Sequence, residues 1–200
     1  IQGAYAVAGM VVYKDGVPSK KDYRKYKIKT VEGPDDYASM KEVIYRRYYR
    51  LLMEQKEMAD LIIVDGGLGQ IKVAKEVIDG LNLPVHICGL SKDDKHSTAM
   101  LLDENGNQVP IDTKSPLFFL LTRMQDEVHR YAISFHRQVR SKSLFSSILD
   151  EVDGIGEARK KKLLNHFKSV KKMKEASLEE LEAVIPKNTA LKLYEVLHKE

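Results

Sequence analysis

Apolar and polar positions change period several times along this chain, and each change predicts an element. Ala4 to Tyr13 (AYAVAGMVVY) is dense in β-branched and small apolar residues, Asp15-Gly16 supplies a turn, and Tyr23 to Lys29 (YRKYKIK) resumes an alternation. That pattern predicts an antiparallel pair of strands. GPDDY breaks the pattern with helix-start residues, after which Met40, Val43, Ile44, Tyr48, Leu51 and Leu52 fall at helical spacing, predicting a basic amphipathic helix from Tyr37 to about Lys56. Leu61 to Val64 is a short apolar run closed by Asp65-Gly66-Gly67. Ile71 to Ile78 follows in helical register, and Val85 to Leu90 is a second apolar run. Strand, helix and strand in that order form a βαβ unit, whose strands are expected to be parallel. DENGN at 103–107 marks a surface hairpin, and Ser115 to about Arg140 carries Leu117, Leu120, Leu121, Met124, Val128 and Ile133 on a long helix. Composition shifts at Ser141-Lys142-Ser143, taken as a linker, and beyond it only helices are expected.

Two hundred residues, 43% of them hydrophobic, suffice for one mid-sized core and a small second one, since domains usually run about 100 to 150 residues. The net charge of +4 says little, because 33 basic residues face 29 acidic ones. Its distribution says more: Lys20–Lys29 holds six basic residues against one acidic, and His136–Lys174 holds eleven Lys or Arg against four Asp or Glu. A single cysteine, Cys88, excludes an intramolecular disulfide and a cysteine-rich zinc site; within VHICGL it reads as a buried small hydrophobe, in keeping with a reducing, cytoplasmic setting. No apolar run approaches the roughly 18 residues that span a bilayer. The chain opens at Ile1 without an initiator methionine and is read as part of something longer.

LIIVDGG puts a carboxylate, Asp65, at the carboxyl end of a buried parallel strand beside two glycines, the edge at which open α/β sheets bind ligands. Asp65 either caps the helix that starts near Leu68 or ligates a hard divalent cation, whose chemistry assists phosphoryl transfer. A metal needs further ligands, and QDEVHRYAISFHR offers Asp126, Glu127, His129 and His136 on one helix. Positions 129, 133 and 136 share a face, but two histidines seven apart are too distant to hold one ion, so one is left for phosphate or packing. Lys92, Lys95 and His96 in GLSKDDKH follow the second parallel strand and are equally a phosphate contact or a solvated loop. Arg46, Arg47 and Arg50 are either a backbone clamp or a solvated helix face.

Val152 to Lys162 (VDGIGEARKKK) has the helix-hairpin-helix pattern: an apolar residue, a Gly-Ile-Gly turn and a basic helix start. Gly154, Ile155 and Gly156 make a tight turn whose backbone N–H groups and following helix face a phosphate, with Arg159 and Lys160 adding charge. Such contacts position DNA without reading its bases, and the basic surroundings favour this over an ordinary glycine loop. About thirty residues on, LEELEAVIPKNTALKLYEVL repeats the layout, but with Ile185-Pro186-Lys187-Asn188-Thr189 in place of the Gly-x-Gly turn.

GPDDY-x-S-M, LIIVDGG-x-GQ, GLSKDDKH, QDEVHRYAISFHRQ-x-R and DGIGEARKKKLLNHF, in this order, resemble the carboxyl-terminal half of the UvrC family, the incision subunits of bacterial nucleotide excision repair. The resemblance covers essentially the whole chain. It implies an RNase H-like nuclease domain with an Asp-Asp-His triad that makes the 5′ incision at a lesion, Mg²⁺ or Mn²⁺ as cofactor, a UvrB–DNA complex as partner and a role in the SOS response to DNA damage. By motif, the second Asp of the triad falls on Asp65 and the His on His129, while Asp36 matches an acidic position whose other role is to start a helix. The first Asp belongs to a D-x-S strand just before IQG, so the sequence as given is expected to bind metal and cut poorly.

The expected architecture is thus an α/β RNase H-like nuclease domain at 1–140, with a mixed sheet flanked by helices, a linker at 141–145, and a small all-α tandem helix-hairpin-helix domain at 146–200. Two other functions fit parts of the pattern. One is a non-catalytic helix-hairpin-helix DNA-binding scaffold, and the other an RNase H-like nuclease acting on RNA or hybrids.

Overall fold

The computed structural model describes residues 6–92 and 99–198. It opens with two antiparallel ribbons where one pair was expected. β1 (Val7–Met10) is followed by β2 (Tyr13–Lys14) and β3 (Val17–Pro18), which close a hairpin over Asp15-Gly16, and β4 (Arg24–Lys27) returns antiparallel to β1 with Met10 opposite Arg24. α1 (Asp36–Met53) starts where Asp35 accepts a hydrogen bond from the Ala38 N–H at 2.9 Å, a side-chain cap on an otherwise unsatisfied donor. Its Glu42 carboxylate ties the helix to the end of the ribbon, accepting from the Lys29 N–H, the Thr30 N–H and the Thr30 hydroxyl; Arg46 bonds both Glu42 and the Lys27 carbonyl.

β5 (Leu61–Asp65), α2 (Leu68–Gly80) and β6 (His86–Lys92) form the βαβ unit, with β5 and β6 parallel and Asp65 opposite Leu90. β7 (Ala99–Leu102) and β8 (Gln108–Val109) add antiparallel strands in the order β5-β6-β7-β8, so the sheet is mixed. Asp103 shapes the turn between β7 and β8 by accepting from the N–H groups of Asn105 and Asn107. The core of this unit joins Ile44, Tyr48 and Leu51 of α1 to Ile71, Ala74, Val77 and Ile78 of α2 over Val64, Ile87 and Leu102 of the sheet. Cys88 is buried as expected, and burial pushes its thiol up to about 11.

α3 (Pro116–Asp150) packs its middle on the first ribbon: a Cβ at Gly9 would sit 3.1 Å from the Tyr131 ring and 3.3 Å from the backbone of Ala132. Tyr131 also meets Tyr23 edge-on, with ring centroids 5.2 Å apart. The chain divides into two compact units at Phe135 and His136, within α3. Ser141, Lys142 and Ser143, expected as a linker, are helical. The physical reason is in the residues: 136–145 contain neither Gly nor Pro, and Arg, Gln, Lys and Leu sustain a helix.

The second unit is all helix, with α4 (Glu157–Phe167), α5 (Val170–Lys174), α6 (Leu178–Glu182) and α7 (Lys187–His198) following the end of α3. Phe145, Leu149, Leu163, Met173, Leu181 and Leu193 are almost wholly buried at its centre. α5 and α6 are short but capped, Ser169 accepting from the Lys172 N–H, and Ser177 and Glu180 forming a reciprocal capping box.

Candidate functional site

Asp65 ends β5, and the two residues after it turn the chain into α2. The turn is held by the Gly66 N–H donating to the Leu90 carbonyl at 2.9 Å and the Gly67 N–H donating to Gln70 Oε1 at 3.1 Å. β6 runs so close beneath that a Cβ at Gly89 would lie 2.6 Å from the Gly66 carbonyl oxygen, a backbone clash that requires glycine. With Gly67 at the cap position and Gln70 reaching back to it, the start of α2 does not depend on Asp65. Its carboxylate points to α3 instead. Gln125 Nε2 donates to Asp65 Oδ1 at 2.9 Å, and His129 Nε2 lies 2.5 Å from Oδ2.

Asp65 and His129 are each about two-fifths exposed, so solvent reaches both. Gln125 is 7% exposed. Sequence reasoning passed over it, although a signal was present: a glutamine in the apolar stripe of Leu121 and Val128, one turn before His129. The other acids of this helix are otherwise disposed. Glu127 is gripped by the Arg130 guanidinium at 2.7 and 2.8 Å, which holds its carboxyl below the usual range, and Asp126 is exposed.

Asp36 is the first residue of α1, where its charge faces the helix N-terminus. The neighbouring Tyr37 hydroxyl abuts Gly69, which sets the start of α1 beside that of α2. His136 is exposed on α3, seven residues after His129 in the sequence. Lys92 ends β6, and Lys95 and His96 lie outside the described residues. Arg46 is occupied by Glu42 and the Lys27 carbonyl, and Arg50 is paired with Glu54.

Among the described residues no three His, Cys, Asp or Glu side chains converge as a metal site. Asp65 and His129 nonetheless supply one carboxylate oxygen donor and one imidazole on an accessible edge. Mg²⁺ typically takes one or two carboxylates and fills its remaining positions with waters and substrate phosphates. The donor pair fits such an ion.

In the second unit, Gly154 turns the chain at φ +93° and Gly156 caps α4. α4 begins at Glu157, so the N–H groups of Glu157 and Ala158 have no carbonyl of their own helix to bond. Ile155 is buried and its N–H donates to the Val152 carbonyl, which makes it an anchor of the turn. The Arg159 guanidinium bonds back to the Gly154 carbonyl. Lys160 differs from the expectation: its ammonium is held by Asp150 and Glu157 and the side chain is only 12% exposed. Lys161 and Lys162 are exposed on the same helix. In the second hairpin Pro186 begins the turn and its carbonyl accepts from the Thr189 and Ala190 N–H groups. The two hairpins clasp, with Thr189 Oγ1 3.4 Å from a Cβ built at Gly154 and Lys192 paired to Asp153 at 3.2 Å.

A mixed sheet bearing Asp65 at the carboxyl end of a parallel strand, with a pair of clasped hairpins after it, defines an RNase H-like nuclease joined to a DNA-binding module. A family model for the UvrC RNase H endonuclease domain matches residues 1–133, and one for a SAM-like helix-hairpin-helix tandem matches residues 146–199. The chain belongs to the UvrC RNase H endonuclease domain family. None of its described helices is long and apolar enough to cross a membrane.

Proposed function

We propose that this chain is part of an endonuclease that hydrolyses a phosphodiester bond 5′ to a lesion during nucleotide excision repair, acting in the cytoplasm on DNA already engaged by UvrB, and that it cuts poorly without the first Asp of the triad. The observation that carries the reading is the meeting of Asp65 and His129 at 2.5 Å on the carboxyl edge of a parallel strand. Asp65 and His129 would hold Mg²⁺ or Mn²⁺, which when bound offsets charge on the phosphate and stabilises the attacking and leaving oxygens. Asp65 would supply a hard anionic ligand at the sheet edge. His129 approaches from α3, so strand and helix must both be in place before the site exists. Phosphoryl chemistry of this kind is positioning and electrostatics, and no side chain forms a covalent intermediate.

Among the described residues β5 is paired on one edge only. A strand of the D-x-S pattern on its other edge would bring a second carboxylate within about 5 Å, the usual spacing between strands. The hairpin Gly154–Gly156 would anchor duplex DNA through the α4 N–H groups, with Lys161 and Lys162 as exposed cations and Arg159 and Lys160 bracing the turn.

The test is Mg²⁺- or Mn²⁺-dependent nicking of a lesion-containing duplex preloaded with UvrB, using the chain extended upstream of Ile1 by the D-x-S strand. Asp65→Asn and His129→Ala are expected to abolish 5′ nicking while DNA affinity survives. Nicking that persists in either variant removes that residue from the site. An extended chain that binds DNA and never cuts would favour a non-catalytic scaffold, and preferential cutting of an RNA:DNA hybrid would reassign the substrate.

A further inference from the structure

A side chain behind the candidate metal pair has no part in the scheme above. Gln125 is one of two buried polar residues among those described, and its amide reaches the Asp65 carboxylate at 2.9 Å. A carboxylate only accepts, so the NH₂ end of the amide must face it. Gln125 and His129 stand one turn apart on α3 and take one Asp65 oxygen each, Oδ1 for the amide and Oδ2 for the imidazole. The half-exposed Asp65 carboxylate is therefore oriented from behind by a donor that packing has already immobilised.

We propose that Gln125 is a positioning residue for divalent-cation binding: it locks the Asp65 carboxylate so that Oδ2 is presented to the ion next to His129. The inference rests on the assignment of Asp65 and His129 as ligands. Gln125 does not touch the ion or the substrate. It acts by holding one oxygen in a charge-assisted hydrogen bond, which fixes the carboxylate plane and spares the ion the cost of ordering it. A neutral amide suits the position. A lysine would neutralise the carboxylate, and a second carboxylate would repel it.

Gln125→Met keeps the volume and removes the donor, and Gln125→Asn keeps the amide but withdraws it by one methylene. In the chain extended by the D-x-S strand, both are expected to weaken Mn²⁺ binding, read by electron paramagnetic resonance, by roughly 10- to 100-fold, the usual effect of losing a partner of a metal ligand. The Mg²⁺ concentration for half-maximal nicking should rise in proportion, with the rate at saturating Mg²⁺ close to that of the parent. In the Asp65→Asn background, Gln125→Met should have no further effect on Mn²⁺ affinity, because the two residues act as one unit. A purely structural role would instead lower the melting temperature in EDTA and leave Mn²⁺ affinity unchanged in the folded protein. If both Gln125 variants bind Mn²⁺ as tightly as the parent while Asp65→Asn binds it weakly, the positioning role is wrong and the ligand assignment stands. If Asp65→Asn itself binds Mn²⁺ like the parent, the ligand assignment fails and takes the positioning role with it.

Discussion

Glu42 shows how much one side chain can hold. Burial opposes its ionisation, yet hydrogen bonds from the Thr30 N–H and hydroxyl, the Lys29 N–H and the Arg46 guanidinium outweigh it and bring the carboxyl down to about 2 from an ordinary 4.5. A group whose pKa is lower in the folded state stabilises the fold above its unfolded pKa and loses that contribution as pH falls toward the folded one. Acid unfolding is therefore expected to steepen between about pH 4.5 and 2, and Glu42→Gln should flatten the dependence in that window. Urea midpoints measured across it by circular dichroism decide the matter; an unchanged slope would mean the carboxylate is not held as described. Single residues were unevenly legible in the sequence. Asp65 stood out because a carboxylate between an apolar strand and two glycines is unusual. The exposed cations of the hairpin did not, because Lys160, Lys161 and Lys162 look alike in sequence, and it is the pairing of Lys160 with Asp150 and Glu157 that sets it apart.

Elements were legible where periodicity persisted. The parallel pairing of β5 and β6 followed from strand, helix and strand in sequence, since a helix between two strands carries the chain back to begin the second in the same direction. The end of α3 was not legible, because a change of composition resembles a break even when every residue in it tolerates a helix. In the first hairpin the decisive feature is backbone conformation. Gly154 has φ +93°, and a Cβ there meets only ordinary contacts, so the penalty for a larger residue is conformational. Gly154→Ala is expected to cost about 1 to 2 kcal/mol from the left-handed geometry alone. It should also weaken DNA binding at every sequence alike, because the α4 N–H groups would be turned away from the phosphate they are proposed to hold. Chemical denaturation and fluorescence anisotropy on two unrelated duplexes measure the two effects; a variant that binds one duplex normally would point to base reading.

On the scale of the whole molecule, the described residues form two hydrophobic cores with no residue in common. Division into an α/β part and an all-α part was visible from the order of elements, whereas the pairing of the two hairpins through Asp153 and Lys192 required coordinates. Leu163 is wholly buried in the helical core, so Leu163→Ala is expected to destabilise that unit by about 2 to 5 kcal/mol. Amide exchange should accelerate across α4 to α7 and stay slow in β5 and β6; acceleration throughout would show that the two cores unfold together.

The helix that runs through 141–145 has a consequence for protease digestion. Arg137, Arg140 and Lys142 offer trypsin three cleavage sites within six residues, all on α3. A protease needs an extended backbone, so a helix hides sites that a linker would surrender at once. Brief digestion should spare these bonds, and an intact DNA-binding module will have to be prepared by genetic truncation.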